Sequence, residues 1–291
     1  MTAVLIGFNY AAYSLLINLA ATPVSLLQVI SFFLTWAGCW LPIAILLLIA
    51  RGWQIGTLEP AQKLPLLGSL YLLAPIILWR ASLITNSSFR DYGLVWNFAI
   101  LRSLSVGLAI AVLSLTILFA IQTILGWVKW QKISAQQITS VVLPTLVLAL
   151  WVSATEELIF RGFVLTQLQQ DYTLAIAAII SSVIFAVLHL VWEQRETVPQ
   201  LFGLWLMGIV LVLARLVDDG SLGLAWGLHS GWVWAIASID TAGILTYTGN
   251  APEWVTGKYG KPLAGILGIF LLLATGGMLL VVLSFVSVAV P

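Results

Sequence analysis

Glu156-Glu157-Leu158-Ile159-Phe160-Arg161 packs two carboxylates and a guanidinium into one short stretch at the end of a long run of Leu, Val, Ala and Trp. A charged side chain at the centre of a membrane helix costs about 2.5–3.5 kcal/mol on insertion scales, so three together need compensation or a task. Part of the compensation is readable from spacing. Glu157 and Arg161 stand four residues apart, share a helical face and can form an ion pair. Glu156 is rotated by about 100° from Glu157 and is left free to face another element.

The surroundings fix the class of protein. Of 291 residues, 61% are hydrophobic and 8% are charged, against about a quarter charged in a soluble domain. Apolar windows recur at about 3–21, 26–50, 64–84, 103–125, 139–165, 173–192, 199–217, 223–243 and 263–289, each near the 20 or so residues a spanning helix needs. The expected fold is all-α, a polytopic transmembrane bundle of eight or nine helices in one integral-membrane domain, 1–291. The first window carries Asn9 and Asn18 and the third carries Pro65 and Pro75, so these are the weakest spans. Met1–Ala21 lacks a basic leader and reads as a retained membrane segment.

Polar connections fall at 51–63, 85–100, 126–138 and 244–262, several edged by Trp, as expected of rings at the headgroup level. Lys129, Lys132, Arg195, Lys258 and Lys261 share one side, which the positive-inside rule assigns to the cytoplasm. The other side in this half offers mainly Arg215 beside Asp218 and Asp219. A net charge of +1 with scattered basic residues carries no nucleic-acid footprint. Cys39, the single cysteine, excludes an intramolecular disulfide and a cysteine-based metal cluster.

Both histidines of the chain lie in later apolar helices, His189 after Phe185 and His229 between Gly227 and Gly231. Each alone is as readily a helix-to-helix hydrogen bond as a functional group; jointly with an unpaired glutamate they point to a site. Gly223, Gly227 and Gly231 recur at four-residue intervals and form a smooth stripe for close packing. His229 falls on nearly the opposite face, with Trp226, Trp232 and Val233. Arg102, Arg215 and Asp240 lie near helix ends and are expected to be interfacial. Ser181 and Ser182 are expected to bond backbone or a neighbouring helix rather than act as nucleophiles. Pro144 is expected to kink the helix that ends in the two glutamates.

Three motifs in order, Glu-Glu-x-x-x-Arg at 156–161, Phe-x-x-x-His at 185–189 and the histidine at 229, resemble the CPBP (Abi) family of intramembrane proteases, which includes endopeptidases of CAAX-prenylated proteins and bacteriocin-processing or immunity proteins. The resemblance covers about residues 143–240. It implies that Glu156 activates a water, that His189 shares or orients that water, and that His229 helps to stabilise the oxyanion. Glu157, Arg161 and Phe185 would support the site. In the prenyl-protein endopeptidases the third motif continues His-x-x-x-Asn, but here that place holds Val233, which cannot donate a hydrogen bond; Ser230, Trp232 and Trp234 are the candidate substitute donors. On this reading 1–138 are variable N-terminal helices, 139–243 the catalytic core and 263–289 a C-terminal helix.

The enzyme reading is hydrolysis of a peptide bond in a membrane-associated protein or lipidated peptide, without cofactor. A metal variant places zinc at Glu156, His189 and His229. From another class comes a non-catalytic adaptor that keeps the fold and binds a membrane-protein partner, a reading Val233 favours. A transporter using Glu156 and Glu157 as an ion relay lacks the inverted repeat such proteins show. The expected location is a bacterial plasma membrane or an equivalent energy-transducing internal membrane, with lipid as a partner throughout.

Overall fold

The structure is a computed structural model that describes residues 24–50, 52, 60–191 and 194–289. The first apolar window, 3–21, and Glu193 lie outside the described residues. The long helices are α1 (Val24–Ala50), α2 (Pro60–Ile84), α3 (Phe98–Ile124) and α4 (Ala135–Glu157). A π-helical segment, Leu158–Val164, and a short α5 (Leu165–Leu168) extend α4. The chain continues through α6 (Leu174–Leu188), α7 (Gln194–Thr197), α8 (Leu201–Val217), α9 (Gly223–Ala242), α10 (Glu253–Thr256) and α11 (Ile266–Ala289).

Seven helical stretches are long and apolar enough to cross a membrane, and with α9 they make eight among the described residues. The protein is a multi-pass helical membrane protein. α9 is the exception in composition because it lies inside, packed chiefly between α3 and α4. A helix shielded from lipid by its neighbours can carry His229 and three glycines where a lipid-facing one cannot.

Local signals set the helix ends. Asn97 Oδ1 accepts from the Ile100 N–H, Ser134 Oγ from the Gln137 N–H, and Gly243, at φ +63°, terminates α9. Pro144 lies inside α4, which runs through it. Indole N–H groups of α9 donate to α4 carbonyls on either side of it, Trp234 to Val142 at 2.9 Å and Trp226 to Leu150 at 2.8 Å.

The glycine stripe of α9 faces α3. A Cβ at Gly223 would stand 2.8 Å from the Ile100 carbonyl oxygen, one at Gly231 2.6 Å from the Ala111 Cβ, and one at Gly227 would overlap the Leu104 carbonyl. From the other side Gly107 approaches the Leu228 nitrogen in the same way. Backbone against backbone is the packing that small residues permit in lipid. Gly227→Ala is therefore expected to lower the unfolding temperature of the purified protein, at a cost of about 1–3 kcal/mol. Gly38→Ala, where nothing lies within 4 Å of the new methyl, should leave it in place; equal behaviour of the two variants would refute the seam.

Two segments depart from the sequence reading. The connections 126–138 and 244–262 are not plain loops: β1 (Val128–Trp130) and β2 (Leu245–Tyr247) pair antiparallel, with Lys129 opposite Thr246, and tie the end of α3 to the end of α9. Their short alternating stretches lack the length that makes a strand visible in a sequence. Arg215 also does not extend outward from its helix end. It is buried, donates to the carbonyls of Arg161 and Gly220, and reaches Thr166 Oγ1 at 3.3 Å. A guanidinium that finds three backbone or hydroxyl acceptors inside the protein has no need to extend to the headgroups.

Candidate active site

The site grows from the junction of α4 with its π-helical extension. Glu157 and Arg161, both fully buried, form the ion pair expected from their spacing, Oε1 to the guanidinium at 3.0 Å. The wider turn at 158–164 directs backbone carbonyls toward side-chain donors. Phe160 accepts from Ser181 Oγ at 2.9 Å, and Arg161 accepts from Arg215. π-Helical turns of this kind occur mostly at functional positions. Gly162 admits the buried Tyr92 of the α2–α3 loop, which packs edge-on against Phe163 at 5.7 Å and covers this end of the site.

His229 comes in from α9 and touches both carboxylates. Its Nδ1 lies 2.6 Å from Glu157 Oε1, and its Nε2 lies 3.5 Å from Glu156 Oε2. Since Glu157 already serves Arg161 as a carboxylate, Nδ1 carries the hydrogen and donates, which turns Nε2 toward Glu156. The second oxygen of Glu156 is held from a direction the sequence did not indicate. Tyr71 of α2 donates its hydroxyl to Glu156 Oε1.

Phe185 is the hub of the apolar packing. Its ring lies 4.3 Å from the Arg161 guanidinium carbon, 4.6 Å from the His189 ring, 5.2 Å from Phe160 and 5.9 Å from His229. His189 stands at the end of α6 with Nδ1 2.8 Å from the Phe185 carbonyl. That oxygen can only accept, so Nδ1 carries the hydrogen and Nε2 is left to act outward. Among the three proposed catalytic residues, Glu156 and His229 are direct neighbours, and His189 joins them through Phe185 and a shared cavity wall.

That cavity, about 300 Å³, is lined in part by His189, His229, Val233, Asp240, Pro262 and Leu263. Glu156 contacts His229 and is not on the wall. At Asp240 the cavity meets a cluster of charges: Lys261 binds Asp240 at 3.0 Å and Glu196 at 3.7 Å, while Arg195 and Lys258 lie over the Tyr259 ring at 5.5 and 5.3 Å. Burial would lower the pKa of Lys261, but the hydrogen bond and charge of Asp240 outweigh it and the net shift is upward. Burial, followed by the negative charge of Asp240, pushes Tyr247 up to about 12. The cavity thus reaches Asp240, the partner of Lys261, although Glu156 belongs to the far half of its helix.

The candidate substitutes for the missing asparagine donor are all engaged elsewhere. Trp232 donates to Ser114 at 3.1 Å, Trp234 to the Val142 carbonyl at 2.9 Å and Ser230 to the Trp226 carbonyl at 2.7 Å. These three are withdrawn as donors, because in an apolar interior each finds the nearest acceptor. As for metal, no group of three His, Cys, Asp or Glu side chains is gathered closely enough to hold an ion among the described residues.

Sequence reasoning found the charged motif and both histidines, and it missed Tyr71, which belongs to no motif and lies 85 residues before its partner. Its one visible signal is a phenol in the middle of an apolar helix. No curated protein and no solved structure matches the chain. Residues 137–235, about a third of the chain and the part that holds all three polar motifs, match the family model described as Type II CAAX prenyl endopeptidase Rce1-like. Through that segment this membrane protein is similar to the CAAX-type intramembrane proteases of the CPBP family.

Proposed function

We propose that the protein is an intramembrane endopeptidase in which Glu156 and His229 share the attacking water. The observation that carries this is the pair of acceptors facing one another, Glu156 Oε2 and His229 Nε2, at 3.5 Å, with Nδ1 of the same ring fixed by Glu157. Two acceptors facing one another in an apolar site need a shared donor, and a water seated beside the pair bonds both. Glu156 takes its proton as the hydroxide attacks the scissile carbonyl, then returns it to the leaving amine. His189, on the same cavity wall, is the residue placed to donate to the carbonyl oxygen once it is protonated. Relative to the roles implied by the family resemblance, the two histidines exchange places.

The cavity wall at Asp240, beside Lys261, supports substrate access from the face that carries Lys258 and Lys261, although the Glu156 end of α4 points away from it. A lipidated peptide or the end of a membrane-associated protein would enter there. The protein reconstituted in lipid, with chelator present, is expected to cleave an internally quenched lipidated peptide. Stoichiometric zinc required for turnover would replace this reading with the metal variant, and failure of the protein to cleave would favour the adaptor.

The adaptor reading retains one specific support, the side chain of Val233 together with the three engaged donors around it. Val233→Asn would restore a donor on the cavity wall. A single oxyanion donor accounts for about 10²–10³ in rate in hydrolases, so the variant is expected to raise kcat at least about tenfold. Unchanged kcat, with the variant folded, would mean that the oxyanion is stabilised without this position.

A further inference from the structure

Glu156 has a partner from outside the family-matched residues. α2 presents Tyr71 to it, and the ring of Tyr71 also stands edge-on to Trp151 of α4 at 6.2 Å. The backbone around Tyr71 is held by α1: Trp36 donates its indole N–H to the Leu70 carbonyl at 3.1 Å, and Trp40 donates to Ser69 Oγ at 3.0 Å. Four residues after Tyr71, Pro75 has no N–H to offer the Tyr71 carbonyl, which loosens the helix at this point. The two indole bonds therefore fix a segment that would otherwise be free to shift.

We propose that Tyr71 is a positioning residue for Glu156, so that helices preceding the family core complete the active site. This rests on the reading of Glu156 as general base. The phenol occupies Oε1, which leaves Oε2 as the single oxygen turned to His229 and the water. The charged and titratable groups facing Glu156 are Tyr71 from α2, His229 from α9 and, within α4, Glu157 with Arg161 behind it.

Infrared spectroscopy of the full chain in lipid bilayers tests this without a substrate. The carboxyl band lost in Glu156→Gln identifies Glu156, and its frequency is read at one fixed pH. Tyr71→Phe keeps the ring against Trp151 and removes only the hydroxyl. It is expected to shift that band, because the carboxyl loses a hydrogen bond. Tyr92→Phe, which removes a buried hydroxyl bonded to Thr85 rather than to Glu156, should leave the band in place. An unmoved band in Tyr71→Phe, or an equal shift in Tyr92→Phe, would overturn the proposal. Should Glu156→Gln leave processing intact, the general-base reading fails by itself, while the band still decides whether Tyr71 holds the carboxylate.

Discussion

Glu156→Gln is expected to abolish processing while leaving the protein folded. The amide cannot take a proton from water, and loss of a general base typically costs about 10²–10⁴ in rate. Stability should survive because the amide oxygen still accepts from Tyr71, and a neutral side chain at a 7% exposed position carries no charge that needs a partner. Two measurements on the same preparation separate the readings. Lost cleavage with an unchanged unfolding temperature and retained binding of a membrane partner fits the enzyme. Full activity in cells carrying the variant would leave only the adaptor.

One residue further on, Glu157→Gln should behave in the opposite way. Glu157 is the carboxylate partner of Arg161, whose side chain is 1% exposed, and it also holds the Nδ1 of His229. Breaking a buried pair from one side leaves an uncompensated charge and costs about 3–5 kcal/mol, a large fraction of the stability of a typical domain. The Glu157→Leu/Arg161→Leu double variant removes both charges and is expected to recover most of that loss. It should remain inactive, since His229 has lost the acceptor that orients its ring. Thermal unfolding in detergent, read beside cleavage, checks both parts. A Glu157→Gln protein as stable as wild type would show that Arg161 finds another counter-group.

The neighbouring glutamates thus divide into one paired with Arg161 and one turned to another element. That division was legible before any coordinates, because offsets of four and one along a helix have fixed angular consequences. So was the glycine stripe, whose spacing forces it onto one face and whose missing side chains invite a backbone. The bundle itself was readable from the apolar windows, since lipid allows a spanning chain few alternatives to a helix.

Other features depend on how helices are rotated and placed against one another, which periodicity within a single helix does not record. That His229 bridges Glu156 and Glu157 follows from α9 lying against α4. That Trp232, Trp234 and Ser230 are occupied follows from acceptors on α3, α4 and α9. The widened turn at 158–164 answers to donors on α6 and α8, Ser181 and Arg215. By itself the sequence determined a helical membrane protein with a buried ion pair, a spare carboxylate and two intramembrane histidines, because those depend on composition and spacing along one chain. Only the tertiary structure decided which histidine meets that carboxylate, that Tyr71 holds its other oxygen and that one cavity joins His189, His229 and Asp240, because each depends on contacts between helices far apart in the chain.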